Sequence, residues 1–67
     1  MVGGNAIAQR FFTRKDLARM LEVSVDTIVN NEHRLGLDRA RRDINARLIR
    51  YEARTALREL RMRNQLP

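Results

Sequence analysis

Sixty-seven residues without a cysteine make one small domain, with a modest core and with neither disulfides nor thiolate metal sites to reinforce it. The formal charge of +6 comes from 14 basic and 8 acidic residues, and no apolar run approaches the roughly twenty residues of a membrane span. A single histidine and no glycine-rich phosphate loop leave metal-centred and enzymatic classes without a constellation to rest on, so neither cofactor nor catalysis is expected.

Residues 1–10 read as a flexible N-terminal arm, because Gly3-Gly4-Asn5 is a poor start for any element. Ile7 is isolated there and is a candidate for docking on the body or on a neighbouring copy. Met1-Val2-Gly3-Gly4-Asn5 lacks the charged-then-apolar pattern of a signal peptide, so a bacterial cytoplasm, close to the nucleoid, is the expected location. Phe11 and Phe12 are the only phenylalanines and are expected to anchor the core. Thr13 can cap a helix, with Asp16 three residues on and with Phe12 and Leu17 as the flanking hydrophobic pair. That helix is predicted over 14–21, where Leu17, Ala18 and Leu21 share one face. Eleven residues after Thr13 the design repeats: Ser24 caps, Thr27 stands at the same offset, and Val23 and Ile28 flank it. Only Glu22-Val23 separates the two. Two short helices joined by so tight a turn make a helix-turn-helix, whose second helix commonly enters a DNA groove.

The second helix is predicted over 25–35, with Gly36 supplying a left-handed stop. Ile28 and Leu35 lie on one face; Asp26, Asn30 and His33 project elsewhere. Asn30-Asn31 in mid-helix runs against propensity and suggests a function or a buried polar contact. After Gly36 the period changes. Residues 39–43 and 47–51 flank Ile44-Asn45-Ala46 as a short hairpin, with Asn45 taking the strained turn angles and with Ile49 and Tyr51 sharing a face over the helices. A last helix over 52–63 places Ala53, Ala56, Leu57 and Leu60 inward. Residues 65–67 are a frayed tail, with fraying expected from Asn64. The fold class is therefore mainly α with a small β-hairpin, a winged helix-turn-helix over residues 11–64.

Charge placement sharpens the functional reading. Residues 1–33 balance four basic against four acidic side chains, while residues 34–67 hold ten arginines against Asp38, Asp43, Glu52 and Glu59. Arginine holds phosphate with a planar fork of donors, so such a half points to nucleic acid first and to an anionic membrane second. The candidate DNA-contacting residues of the second helix are Ser24, Val25, Asp26, Thr27, Val29, Asn30, Asn31, His33 and Arg34. Asn30 and Asn31 suit adenine edges, and Val25 and Val29 suit thymine methyls. Asp26 suits cytosine or the helix dipole, with the dipole role preferred. Arg39, Arg41, Arg42, Asn45 and Arg47 of the hairpin would grip the backbone or enter the minor groove. Arg14, Lys15, Arg54, Arg58 and Arg61 are further candidates for phosphate or partner contacts. The stripe of Arg54, Arg58 and Arg61 serves equally as a solvated face. His33, the arginines and Tyr51 include the residue types of tyrosine recombinases, but a chain of this size has no room for an enclosed site and Tyr51 is expected to plug the core. A protein-interaction module without a DNA role stays open, because the second helix carries little positive charge beyond Arg34.

Thr13-Arg14-Lys15-Asp16-Leu17-Ala18, Val23-Ser24-Val25-Asp26-Thr27-Ile28, Leu35-Gly36-Leu37 and Arg47-Leu48-Ile49-Arg50-Tyr51 together resemble the small winged helix-turn-helix proteins of the excisionase and MerR-like class. The likeness covers residues 12–60, and the short length favours its excisionase side. Val29-Asn30-Asn31-Glu32-His33-Arg34 departs from the aromatic and basic residues common there in MerR relatives. The resemblance implies a recombination directionality factor without chemistry of its own. Such a factor binds double-stranded attachment-site DNA in several copies, bends it, and assists a tyrosine integrase in excising a phage or integrative element. Separately, one domain offers a small footprint, so adjacent copies are expected to bind cooperatively, and a head-to-tail contact that does not close would form a filament on the DNA. A small repressor or activator of the same fold is the alternative within that class.

Overall fold

A computed structural model of the chain describes residues 10–45 and 47–66. The arm expected over residues 1–10, including Ile7, lies outside the described residues except for Arg10, as do Ala46 and Pro67. Strand β1 (Phe11–Phe12) leads into helix α1 (Arg14–Leu21) and helix α2 (Val25–Asn30). A single 3-10 turn (Leu37–Arg39) then precedes strand β2 (Arg41–Asn45), strand β3 (Leu48–Glu52) and helix α3 (Ala53–Met62). The strands form one antiparallel sheet in the order β1-β3-β2. The expected hairpin is thus two thirds of a three-stranded sheet. Phe11 and Phe12 supply the third strand, pairing with Glu52 and Tyr51. Two residues are too few to show a strand period, and only the β3 edge turns them into one.

Both helix starts form as their spacing predicts. Thr13 Oγ1 accepts from the Asp16 N–H at 3.0 Å, and Asp16 accepts in return from the Thr13 N–H at 2.9 Å, a reciprocal box. Ser24 Oγ accepts from the Thr27 N–H at 3.1 Å. The second helix, by contrast, stops at Asn30 rather than running to Leu35. Asn31 takes φ −118° and ψ 17°, and its side-chain amide donates to the Thr27 carbonyl at 2.8 Å. The Asn31 backbone N–H donates to the same carbonyl at 3.1 Å, so main chain and side chain together cap the last turn there. Residues 31–36 continue as turns.

One device closes α1, α3 and the run of turns that follows α2. Glu22, Gly36 and Asn64 are the described residues with positive φ, at 59°, 75° and 56°. Behind each, the next N–H reaches back five residues: Val23 to Ala18 and Gln65 to Leu60 at 2.9 Å, and Leu37 to Glu32 at 2.9 Å. These are Schellman closures, which satisfy carbonyls that a helix end would otherwise leave open. The closure at Asn64 lies at the start of the segment expected to fray. It turns the chain back so that Leu66 packs against the core.

The core joins Phe12, Leu17, Ala18, Ile28, Leu35, Leu37, Ala40, Tyr51, Ala53, Ala56 and Leu60. Leu17 and Ala18 of α1, Ile28 of α2 and the inward stripe of α3 meet on the face of the sheet that bears Phe12 and Tyr51. Burying Leu17, Ile28, Leu37 and Leu60 fully contributes about 1.5–3 kcal/mol each relative to exposure. No helix among the described residues is long and apolar enough to cross a membrane.

Candidate nucleic-acid interface

One carboxylate joins the elements that carry the candidate residues. Glu32, in the turns after α2, accepts a hydrogen bond from the Tyr51 hydroxyl of β3. It also accepts from the Arg41 guanidinium of β2 at 3.1 and 3.3 Å, and Arg14 of α1 approaches it at 3.9 Å. Arg14 Nε in turn donates to the Tyr51 hydroxyl at 3.2 Å. The hairpin is therefore tied to the helix pair through a polar cluster rather than through apolar contacts alone. Burial foremost, and then the bond to Glu32, push the Tyr51 phenol above its ordinary value, while Arg14 acts in the opposite direction. Arg41 also bonds to Asp43 at 2.8 Å, and the bonds to Asp43 and Glu32 hold its guanidinium protonated even more firmly than usual.

This arrangement sorts the candidate arginines. Arg14 and Arg41, read from the sequence as phosphate contacts, have their guanidinium groups engaged by Glu32 inside the fold. Arg39 lies on the 3-10 turn, not on a strand, and stands 3.9 Å from Glu59. Arg42 and Arg47 are exposed and have no carboxylate in ion-pair contact among the described residues. Arg42 instead donates to the carbonyls of Arg39 and Arg41, at 3.3 and 2.9 Å. Asn45 does not take left-handed angles. Its carboxamide oxygen accepts from the Arg47 N–H at 2.9 Å, so the side chain itself organises the turn.

On α2, Val25, Asp26, Val29 and Asn30 are exposed, with Val25 and Val29 at 37% and 42%. Thr27 and Asn31 are half-buried. Thr27 shares a hydrogen bond with the Ser24 hydroxyl at 2.9 Å, and Asn31 holds the Thr27 carbonyl. These bonds give Ser24, Thr27 and Asn31 work inside the α1–α2 pair as well as a place at its surface. His33 is exposed and lies 2.8 Å from the Asp38 carboxylate, whose pKa is lowered mainly by that bond. The Arg34 side chain is exposed, while its carbonyl accepts from Arg63 at 3.0 Å. Lys15, Arg54, Arg58 and Arg61 are exposed; Arg58 lies 4.0 Å from Glu59.

Three residues that organise the site escape sequence reasoning. Glu32 reads there as an ordinary helix-surface acid. Glu59, only 2% exposed, forms a 2.7 Å pair with Arg63 and draws Arg39 and Arg58 toward it. Its spacing is the available signal: it lies three residues after Ala56 of the buried stripe and four before Arg63. Arg50 faces Arg42 directly across β2 and β3. Among the described residues no group of three acidic or histidine side chains could hold a metal. No protein-family model matches the chain, and no curated protein or solved structure does either.

Proposed function

We propose that the domain binds duplex DNA as a winged helix-turn-helix and acts as a recombination directionality factor. In this role several copies assemble on attachment-site DNA, bend it, and favour excision by a tyrosine integrase. One observation carries the DNA reading. A capped helix pair leaves Val25, Val29 and Asn30 uncovered, and the strand pair bonded to it through Glu32 presents Arg42 and Arg47 without acidic partners among the described residues. In this scheme α2 reads base edges and the hairpin grips phosphate, so specificity and affinity reside on different elements. The domain contributes binding and DNA geometry, and it performs no bond chemistry itself. Arg14 and Arg41 support the hairpin instead of the DNA.

Mobility shifts on short duplexes at graded salt test the scheme. Replacing Arg42 and Arg47 by Ala should weaken binding to all sequences alike and flatten the log–log salt slope by roughly 1 for each phosphate no longer neutralised. Asn30→Ala should relax preference at particular bases while leaving the slope unchanged. Cooperative binding to direct repeats with bending supports the directionality role, whereas a palindrome-bound dimer would support a transcriptional regulator instead. The apolar exposure of Val23, Val25 and Val29 favours a second reading, a protein-interaction surface. Absence of duplex binding at low ionic strength would favour it over DNA.

A further inference from the structure

The sheet has a second face, and of its charges the scheme above uses only Arg42. Successive strand residues alternate sides, so burial of Phe12 and Tyr51 directs Phe11, Arg50 and Glu52 outward. Arg42 stands directly opposite Arg50 and shares that side. Like charges directly opposed across two strands are unfavourable. Among the described residues each guanidinium donates only to backbone carbonyls: Arg50 to Ile49 at 3.0 Å, and Arg42 to Arg39 and Arg41. Arg10 extends the positive region at the β1 edge, with its guanidinium 6.0 Å from the centre of the Phe11 ring. Arg54, exposed at the start of α3 and two residues after Glu52, adds its charge at that end of the strand. The field of Arg42 and Arg54 reaches the Glu52 carboxylate, which is held below its ordinary value mainly by the Thr55 hydroxyl and secondarily by these arginines. Among the described residues of this face, Glu52 is thus the sole acid beside four arginines, and it is already engaged by Thr55.

We propose that this outward face is a second polyanion-binding surface, which takes a stretch of sugar-phosphate backbone separate from the one beneath α2. The inference rests on the DNA reading for the identity of the polyanion. Its chemistry follows from the guanidinium groups. Two forks fixed at one cross-strand spacing suit successive phosphates, and an arriving phosphate relieves their mutual repulsion. The helices pack on the opposite side of the sheet, so one copy can hold two segments together, with Arg42 common to both contacts.

A capture assay tests this. A biotinylated duplex carrying the protein is exposed to a second, fluorescent duplex of unrelated sequence. The native protein should retain the second duplex at low salt and release it as salt rises. The Arg50→Gln, Arg54→Gln double variant should still shift the first duplex, yet retain the second at least fivefold less. Its melting temperature should equal or exceed that of the native protein, because a like-charge contact is removed; a lowered one would mean that these arginines serve the fold. Asn30→Ala should leave capture intact. Unchanged capture by the double variant, or native protein that binds one duplex and never a second, would overturn the proposal. If no duplex binds at all, the DNA reading fails and inorganic polyphosphate decides this surface. Arg50- and Arg54-dependent retention on polyphosphate sustains it, and retention equal in native and variant protein refutes it. Arginine-dependent binding to phosphatidylglycerol vesicles without polyphosphate binding would also refute it.

Discussion

Replacing Glu32 by Ala should show how strongly the hairpin depends on one carboxylate. Tyr51 is fully buried at 0% exposure, and Glu32 is the acceptor for its hydroxyl. Removing that acceptor strands a buried donor, at a cost of about 1–3 kcal/mol. The Arg14 and Arg41 contacts add less, about 1 kcal/mol or below, because solvent reaches both side chains and Arg41 keeps Asp43. A total of about 2–3 kcal/mol is a large share of the roughly 3–10 kcal/mol typical for a chain of this length. Thermal unfolding followed by circular dichroism should therefore fall by roughly 10–20 °C. Glu32→Gln retains an oxygen acceptor and should lose about half as much. Combining Glu32→Ala with Tyr51→Phe should cost less than the sum of the single changes, with a coupling of about 1–2 kcal/mol. A Glu32→Ala protein melting within about 3 °C of the native one, or strictly additive single changes, would refute the claim that this carboxylate ties the strands to the helices.

Two further predictions concern pH and helix closure. The Tyr51 phenol is raised in the fold above its unfolded value of 10.0, so its contribution to stability is complete below that pH and is lost as pH rises above it. Urea midpoints should decline above about pH 10, with phenolate absorbance appearing on unfolding, and Tyr51→Phe should abolish that decline; a flat profile would count against the buried bond. The two closures at Glu22 and Gly36 should respond with opposite signs. Glu22→Gly removes a left-handed non-glycine and should stabilise by roughly 0.5–1 kcal/mol. At Gly36 a Cβ would meet the Arg63 guanidinium at 2.7 Å and the Glu59 carboxylate at 2.8 Å. Gly36→Ala should therefore destabilise by about 2–4 kcal/mol, combining backbone strain with displacement of a buried ion pair. Equal and small effects at both positions, read from urea unfolding, would show that the closures are not set by these angles.

Local chemistry made the helix starts legible. Thr13 with Asp16 and Ser24 with Thr27 act within three residues, so no distant contact is needed to read them. Gly36 was legible as a left-handed position for the same reason, although it closes the turns after α2 and not the helix itself, and Tyr51 was legible as a core residue because alternation with Arg50 sends it inward. The length of α2 was not legible, because apolar spacing through Leu35 outweighs the asparagine pair in the sequence, whereas in the fold Asn31 is already the C-cap. Nor was the sorting of the arginines. Arg41 and Arg42 are adjacent and identical in type, yet one bonds to Glu32 and the other faces Arg50.

Composition and short-range pattern alone determined where the chain turns, which residues start its helices, and that its positive charge gathers after residue 33. Only the tertiary structure decided that Phe11 and Phe12 are a strand, that Glu32 and Glu59 are held inside, and which of the described arginines remain without acidic partners. The physical reason is range. Caps and turns are satisfied by neighbours a few residues away. Strand pairing and ion pairing depend on partners such as Glu32 and Tyr51, 19 residues apart, whose meeting is set by how the whole core packs.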